Sequence, residues 1–153
     1  MITILKKELD RVAKFLVSIE LTGVENIHRM RVVNVLKKQH EEMVTEEVEL
    51  LKAYAELDAE GELVRSEGGG FQLKDQASAA KFRTLQERLL NEPFVLDSPN
   101  FKQALETVET VVLHLDKKLS NEDAETHFMI VEAFEQVKDA QIQDENNQKG
   151  DDE

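Results

Sequence analysis

The spacing of apolar side chains changes several times along the chain, and each change marks an element. Residues 2–5, ITIL, are mostly β-branched and predict a short strand. From Lys6 the period becomes helical: Leu9, Val12, Ala13, Leu16 and Ile19 form one stripe, which Thr22-Gly23 is expected to end. The next helix is the longest, over about 25–57, and it has two apolar stripes. Met30, Val33, Val44, Val48 and Leu51 lie in one direction. Val32, Leu36, Met43, Leu50, Tyr54 and Leu57 lie about 100–120° away. Unbroken, this helix would be ~50 Å long, against a diameter of ~40 Å for a compact globule of this size. Either the polar stretch KKQHEE (37–42) breaks it, or the molecule is elongated and another copy covers the excess.

The stretch GELVRSEGGGFQLKD (61–75) reads as a hairpin, Glu62–Arg65 against Phe71–Lys74, with Leu63, Phe71 and Leu73 inward and the glycines in the bend. A third helix is predicted over about 75–91, with Ala79, Phe82, Leu85, Leu89 and Leu90 on its buried side. Pro93 ends it, and Phe94-Val-Leu96 reads as a strand beside the hairpin. Ser98-Pro99 opens a fourth helix running to Leu119, and Ser120-Asn-Glu-Asp123 caps a fifth, whose core face is Phe128, Val131, Phe134 and Val137. The polar run QIQDENNQKGDDE has no period, so residues 141–153 are expected to form a disordered acidic tail behind a single domain over 1–140. The fold class is mainly α (α+β): about five helices, one long, with a small antiparallel β-hairpin or three-stranded sheet.

Charge modifies this picture. The net charge of −13 divides into +4 over residues 1–40 (eight Lys/Arg, four Asp/Glu) and −17 over residues 41–153 (eleven against twenty-eight). Binding a phosphate backbone needs cationic side chains that release counterions, so direct nucleic-acid binding is not expected. Lys6, Lys7, Arg11 and Lys14, or Arg29, Arg31, Lys37 and Lys38, offer a local basic strip, which reads as a solvated helix face. The absence of cysteine excludes disulfides and thiol chemistry and fits a reducing compartment. The opening residues do not read as a secretory signal, and no apolar run approaches a membrane span, so a cytoplasmic protein is expected.

Candidate chemistry is sparse. The triple glycine lacks the strand–loop–helix context of a phosphate cradle, because Phe71–Lys74 reads as a strand. Asp58-x-Glu60-x-Glu62 departs from a calcium loop: Gly61 comes two residues early and Gly69 stands at the twelfth position. His40-Glu41 has Val44 where a zinc helix needs its second histidine, and Asp123 with His127 reads as a helix-stabilising pair. No nucleophile, base and orienting group appear together, so neither catalysis nor a cofactor or metal is expected. The expected function is protein binding, through Met30, Leu36, Met43, Leu50 and Tyr54 of the long helix and Leu63, Phe71 and Leu73 of the hairpin. Self-association through that helix is a second expectation. Glu41, Glu42, Glu46 and Glu47 form a candidate acidic surface, and the alternative function is an acidic mimic of nucleic acid that inhibits a DNA-binding or defence protein.

Five segments taken in order carry a resemblance: ITILKKELDRVAKFL, LLKAYAELD, DAEGELVRSEGGGFQLKD, LLNEPFVLD and LSNEDAETHFMIVEAF. Over residues 1–135 this order resembles a family of small uncharacterised proteins, of the domain-of-unknown-function kind, from phages and prophages of Gram-positive bacteria. Members often carry more basic residues in their first two helices than this chain does. The resemblance implies a phage accessory protein acting in assembly or on a host protein in the host cytoplasm, and it transfers no catalytic residue.

Overall fold

Residues 2–5 form the short strand that their β-branched side chains predict. In a computed structural model, which describes residues 1–150, strand β1 (Ile2–Leu5) buries Ile2 and Ile4 and exposes Thr3 and Leu5. Its partner is remote in sequence. Strand β2 (Pro93–Leu96) pairs antiparallel with it in the register Ile2↔Leu96 and Ile4↔Phe94. Residues 94–96 therefore do not join the glycine hairpin. Their one buried residue, Leu96, faces the main core, which lies on the β1 side. Among the described residues the fold is mainly α, with five helices and this two-stranded sheet.

A single 3-10 turn (Lys6–Glu8) leads into α1 (Leu9–Ser18), which buries Leu9, Val12, Ala13, Phe15 and Leu16. The helix ends at Ser18, before the expected Thr22-Gly23 stop. Ile19 turns extended but stays buried, and Gly23, with φ +57°, instead opens α2 (Gly23–Tyr54). The end of α1 is held by Arg29 from α2. Its guanidinium donates to the carbonyls of Leu16 (3.0 Å) and Ile19, and more weakly to Val17 (3.3 Å). Arg29 is only 8% exposed, so it is not part of a solvated basic strip. A cation at a helix C-terminus meets the negative end of the dipole and the carbonyls that have no helical partner.

Helix α2 runs unbroken through KKQHEE for 32 residues, ~48 Å. Its first half packs on α1 and on α4 (Lys102–Leu113), and its second half packs on α3 (Gln76–Leu90). α4 starts after a 3-10 turn at Pro99–Phe101 and stops six residues short of the predicted Leu119. Leu115 and Leu119 still pack against the core from an irregular connection. α5 (Asn121–Gly150) buries Thr126, Ile130 and Phe134. It continues as helix past residue 140, where no regular structure was expected, and residues 141–147 are exposed all round. The remaining three residues of the expected tail lie outside the described ones.

One contiguous core joins β1, α1, the first half of α2, β2, α4 and α5, with Leu9, Val33, Leu36, Leu105, Val112 and Ile130 at its centre. No residue between Leu36 and Phe94 belongs to it. Among the described residues, Met43 and Ala55 alone are buried apolar residues within that span. The chain thus consists of a packed body and an arm, the arm being the second half of α2, a small ribbon and α3.

Candidate interaction surface

The arm is built by three devices. At its base, Lys6 bridges Glu92 (2.7 Å) and Glu46 (3.1 Å), tying α2 to the start of β2. The Glu92 carboxylate, with Glu46 beside it, holds the Lys6 ammonium above the ordinary lysine range. Along its length, α3 begins at Asp75, whose carboxylate accepts from the Ser78 amide (2.7 Å) and lies below the usual carboxylate range for that reason.

At the tip, three short segments pair in a ring. The Glu56 amide donates to Gln72 (2.8 Å), the Gln72 amide to Val64 (2.8 Å), and the Val64 amide back to Glu56 (3.2 Å). The bridges are Arg65↔Phe71, as the hairpin reading requires, and also Leu57↔Leu63 and Ala55↔Leu73. Leu63 and Leu73 thus pair with the segment that follows α2, not with each other. Asp58 makes the first turn by accepting from the amides of Glu60 and Glu62 (2.9 Å each), with Gly61 at φ +81°. The glycine run makes the second, where only Gly69 needs its positive φ of +86°, and a Cβ on Gly68 or Gly69 would meet nothing within 4 Å. The triple glycine is a bend.

The arm's apolar residues are only half covered. No residue of α3 is buried; Ala79, Phe82, Leu85, Leu89 and Leu90 are all intermediate. On α2, Val44 and Val48 are 43% and 38% exposed, one turn apart, with half-buried Leu51 in line. These belong to the first of the two predicted stripes, whose Val33 is completely buried in the body. In the second, Leu36 is completely buried and Met43 nearly so, while Leu57 is 43% exposed. Leu36 and Met43 cannot offer a contact surface, because they pack on the chain's own helices. Met30 is not part of the arm but packs against the core of the body. Leu50, Tyr54, Leu63 and Leu73 are half-buried, and Phe71 is exposed beneath the Arg65 guanidinium, 5.0 Å from its ring centre.

Of the acidic candidates, Glu41 is exposed and without an ion pair among the described residues. Glu42 lies 3.9 Å from Lys38, Glu46 is held by Lys6, and Glu47 accepts from Gln86 of α3 (2.8 Å). Sequence reasoning missed the cations of α3. Lys81, Arg83 and Arg88 stand beside its apolar side, and none makes an ion pair among the described residues. Their signal was present as a net +2 helix in an acidic half of the chain.

A second feature lies on the body. A cleft of about 670 Å³ opens between residues 18–25 and 110–117. Its apolar wall is Ile19, Leu21, Val111 and Leu115, and Glu20, Glu25, Asp116 and Lys117 surround it. Ser18 and His114 come closest to a nucleophile and a base, but both donate to helix-end carbonyls, Phe15 (2.6 Å) and Thr110 (2.9 Å). Among the described residues no three His, Asp or Glu side chains converge. His127 does not pair with Asp123; its Nε2–H donates to the Val112 carbonyl (2.9 Å) at the end of α4, and its ring packs on Phe15. No helix of the described residues is long and apolar enough to cross a membrane. No family model matches the chain, and no curated protein or solved structure matches it.

Proposed function

We propose that this chain is a non-enzymatic protein-binding module whose contact element is the arm. The observation that supports it is the half-covered apolar side of α3 beside Val44 and Val48, held out beyond the core. An apolar face bordered by charged groups, on elements fixed by backbone hydrogen bonds, is what a partner surface requires. The exposed Phe71 under Arg65 at the tip adds an aromatic and a guanidinium, the groups most often dominant at interfaces. In line with the order of its segments, the chain is proposed as a phage or prophage accessory protein acting in the host cytoplasm, in assembly or on a host protein.

The second reading, an acidic mimic of nucleic acid, is favoured by one observation. Glu41, Glu42, Glu46, Glu47 and Glu49 lie within nine residues of α2, and all but Glu47 are exposed. The two readings separate in one experiment, capture of partners by the tagged chain from infected host cells at low and high salt. Apolar docking survives salt and is lost with Val48→Asp or Phe71→Ser. Mimicry weakens steeply with ionic strength and is lost with Glu41→Lys and Glu49→Lys. Capture indifferent to all of these changes would remove the arm from the function.

A further inference from the structure

We infer that the α2–α3 face of the arm is closed by a second copy of this chain, related by a two-fold axis, so that two helical hairpins form a four-helix bundle. The inference rests on reading the arm as a contact surface and names its occupant.

Two antiparallel helices can cover only one side of each other, which is why α3 has no buried residue. A second hairpin laid across them supplies the missing cover for Val44, Val48, Phe82 and Leu85. The charges select what that hairpin is. Residues 41–54 of α2 carry five Glu and one Lys, whereas α3 carries Lys81, Arg83 and Arg88 against Glu87. Within one chain these opposite charges do not meet: the polar side-chain link recorded between the two helices is Gln86 to Glu47, and no ion pair joins α2 to α3 among the described residues. A two-fold axis lying in the interface and parallel to the helices sets α3 of each copy against α2 of the other. The free cations of one then lie beside the free carboxylates of its mate, at both symmetry-related places. The face is complementary to itself, as an isologous interface must be.

The expected affinity is modest. α3 is 15 residues, ~22 Å, and a face of that length two helices wide is at the small end of specific interfaces, which suits a micromolar dimer. Two chains of charge −13 also repel at long range, so salt moves attraction and repulsion together and is a poor readout.

Charge reversal is the clean test. Sedimentation of the full chain from ~1 µM to ~500 µM should show its mass rising from 17.5 kDa to twice that. Val44→Asp with Val48→Asp, both exposed and therefore compatible with an unchanged helical spectrum, should weaken the dimer more than about tenfold. Lys81→Glu with Arg88→Glu sets acid against acid, and Glu41→Lys with Glu49→Lys sets base against base, so each variant alone should be a monomer. Mixed, the two should form a heterodimer whose pairs are all complementary, a rescue that no damage to the fold could produce. A wild-type chain still monomeric at ~500 µM overturns the second copy, and so does a dimer indifferent to all three variants. If the wild type is monomeric while Val48→Asp abolishes capture of a different protein, the arm remains a contact surface and the second copy alone is refuted.

Discussion

Replacing Arg29 by methionine should destabilise the fold by about 2–3 kcal/mol, and the structure shows why the figure is neither smaller nor larger. Arg29 is a buried cation whose partners are neutral: the carbonyls of Leu16, Val17 and Ile19 and the Asn26 side-chain oxygen. Hydrogen bonds to a charged group are worth roughly 1.5–3 kcal/mol each, and a simple sum would exceed ~5. Most acceptors, however, have other recourse. The Leu16 carbonyl also accepts from the Ile19 amide (3.3 Å), Val17 is an exposed residue, and Asn26 is half-exposed. The Ile19 carbonyl, on a residue 5% exposed, is the acceptor left stranded. Methionine also removes a desolvated guanidinium whose Nε has no partner among the described residues, which offsets part of the loss.

Chemical denaturation with an unchanged m-value is the assay, and ~2–3 kcal/mol corresponds to a fall of about 4–12 °C in Tm for a chain of this size. Arg29→Lys, a point donor without the planar fork, should fall between, at about 1–2 kcal/mol. Because no carboxylate is involved, the difference should hold from ~0.05 to ~0.5 M salt. Arg29→Met within ~0.5 kcal/mol of the parent would refute the claim that this side chain closes α1.

Other perturbations test other joints. Thr126 is buried, accepts from Arg11 Nε (2.6 Å) and donates to the Glu122 carbonyl (2.7 Å), so Thr126→Val should cost about 1–3 kcal/mol and Thr126→Ser should recover most of it in the same denaturation assay. Leu36→Ala empties a fully buried site and should cost ~2–5 kcal/mol, with any change in association following the loss of fold; weakened association at undiminished stability would contradict the burial. The lowered Asp75 carboxyl stabilises the start of α3 above its unfolded value of ~3.9, and this contribution disappears as pH falls through the folded value. The Tm gap between parent and Asp75→Ala should therefore be open at neutral pH and close in strong acid.

How much of this was readable in advance depends on how local each feature is. α1 was legible because one stripe faces one core, and Leu9, Val12, Ala13 and Leu16 are all buried. In α2 the pattern gave two packing directions but not what lies in them. Periodicity identifies faces and says nothing of neighbours, so Leu36 and Met43 were expected as contact residues although they are buried, and the exposed Val44 and Val48 were not. The partner of β2 was hidden because Ile2 and Leu96 are far apart in sequence, and register is a long-range property. Arg29 was read as a surface charge because sequence does not show that the carbonyls ending α1 need a donor. The extension of α5 beyond residue 140 was missed because a helix exposed on every side has no period to detect. Propagating a helix already nucleated by the packed turns around Ile130 and Phe134 needs no apolar face.

The arm brings these threads together. Half-covered apolar side chains usually accompany loose structure, since burial is what offsets the entropy of ordering. Here order has other sources. α2 is a single helix whose first half is fixed in the core by Val32, Val33 and Leu36, so its second half inherits a direction without a core of its own. Lys6 pins it midway through Glu46, Asp75 caps its neighbour, and the ring of backbone bonds through Glu56, Val64 and Gln72 joins the two helices at the far end. Each device acts through backbone or polar groups, so none consumes the apolar face. The chain thereby keeps Val44, Val48 and the side of α3 both preorganised and uncovered. A partner that docks there need not supply the ordering, which is the condition under which a small face can still bind specifically.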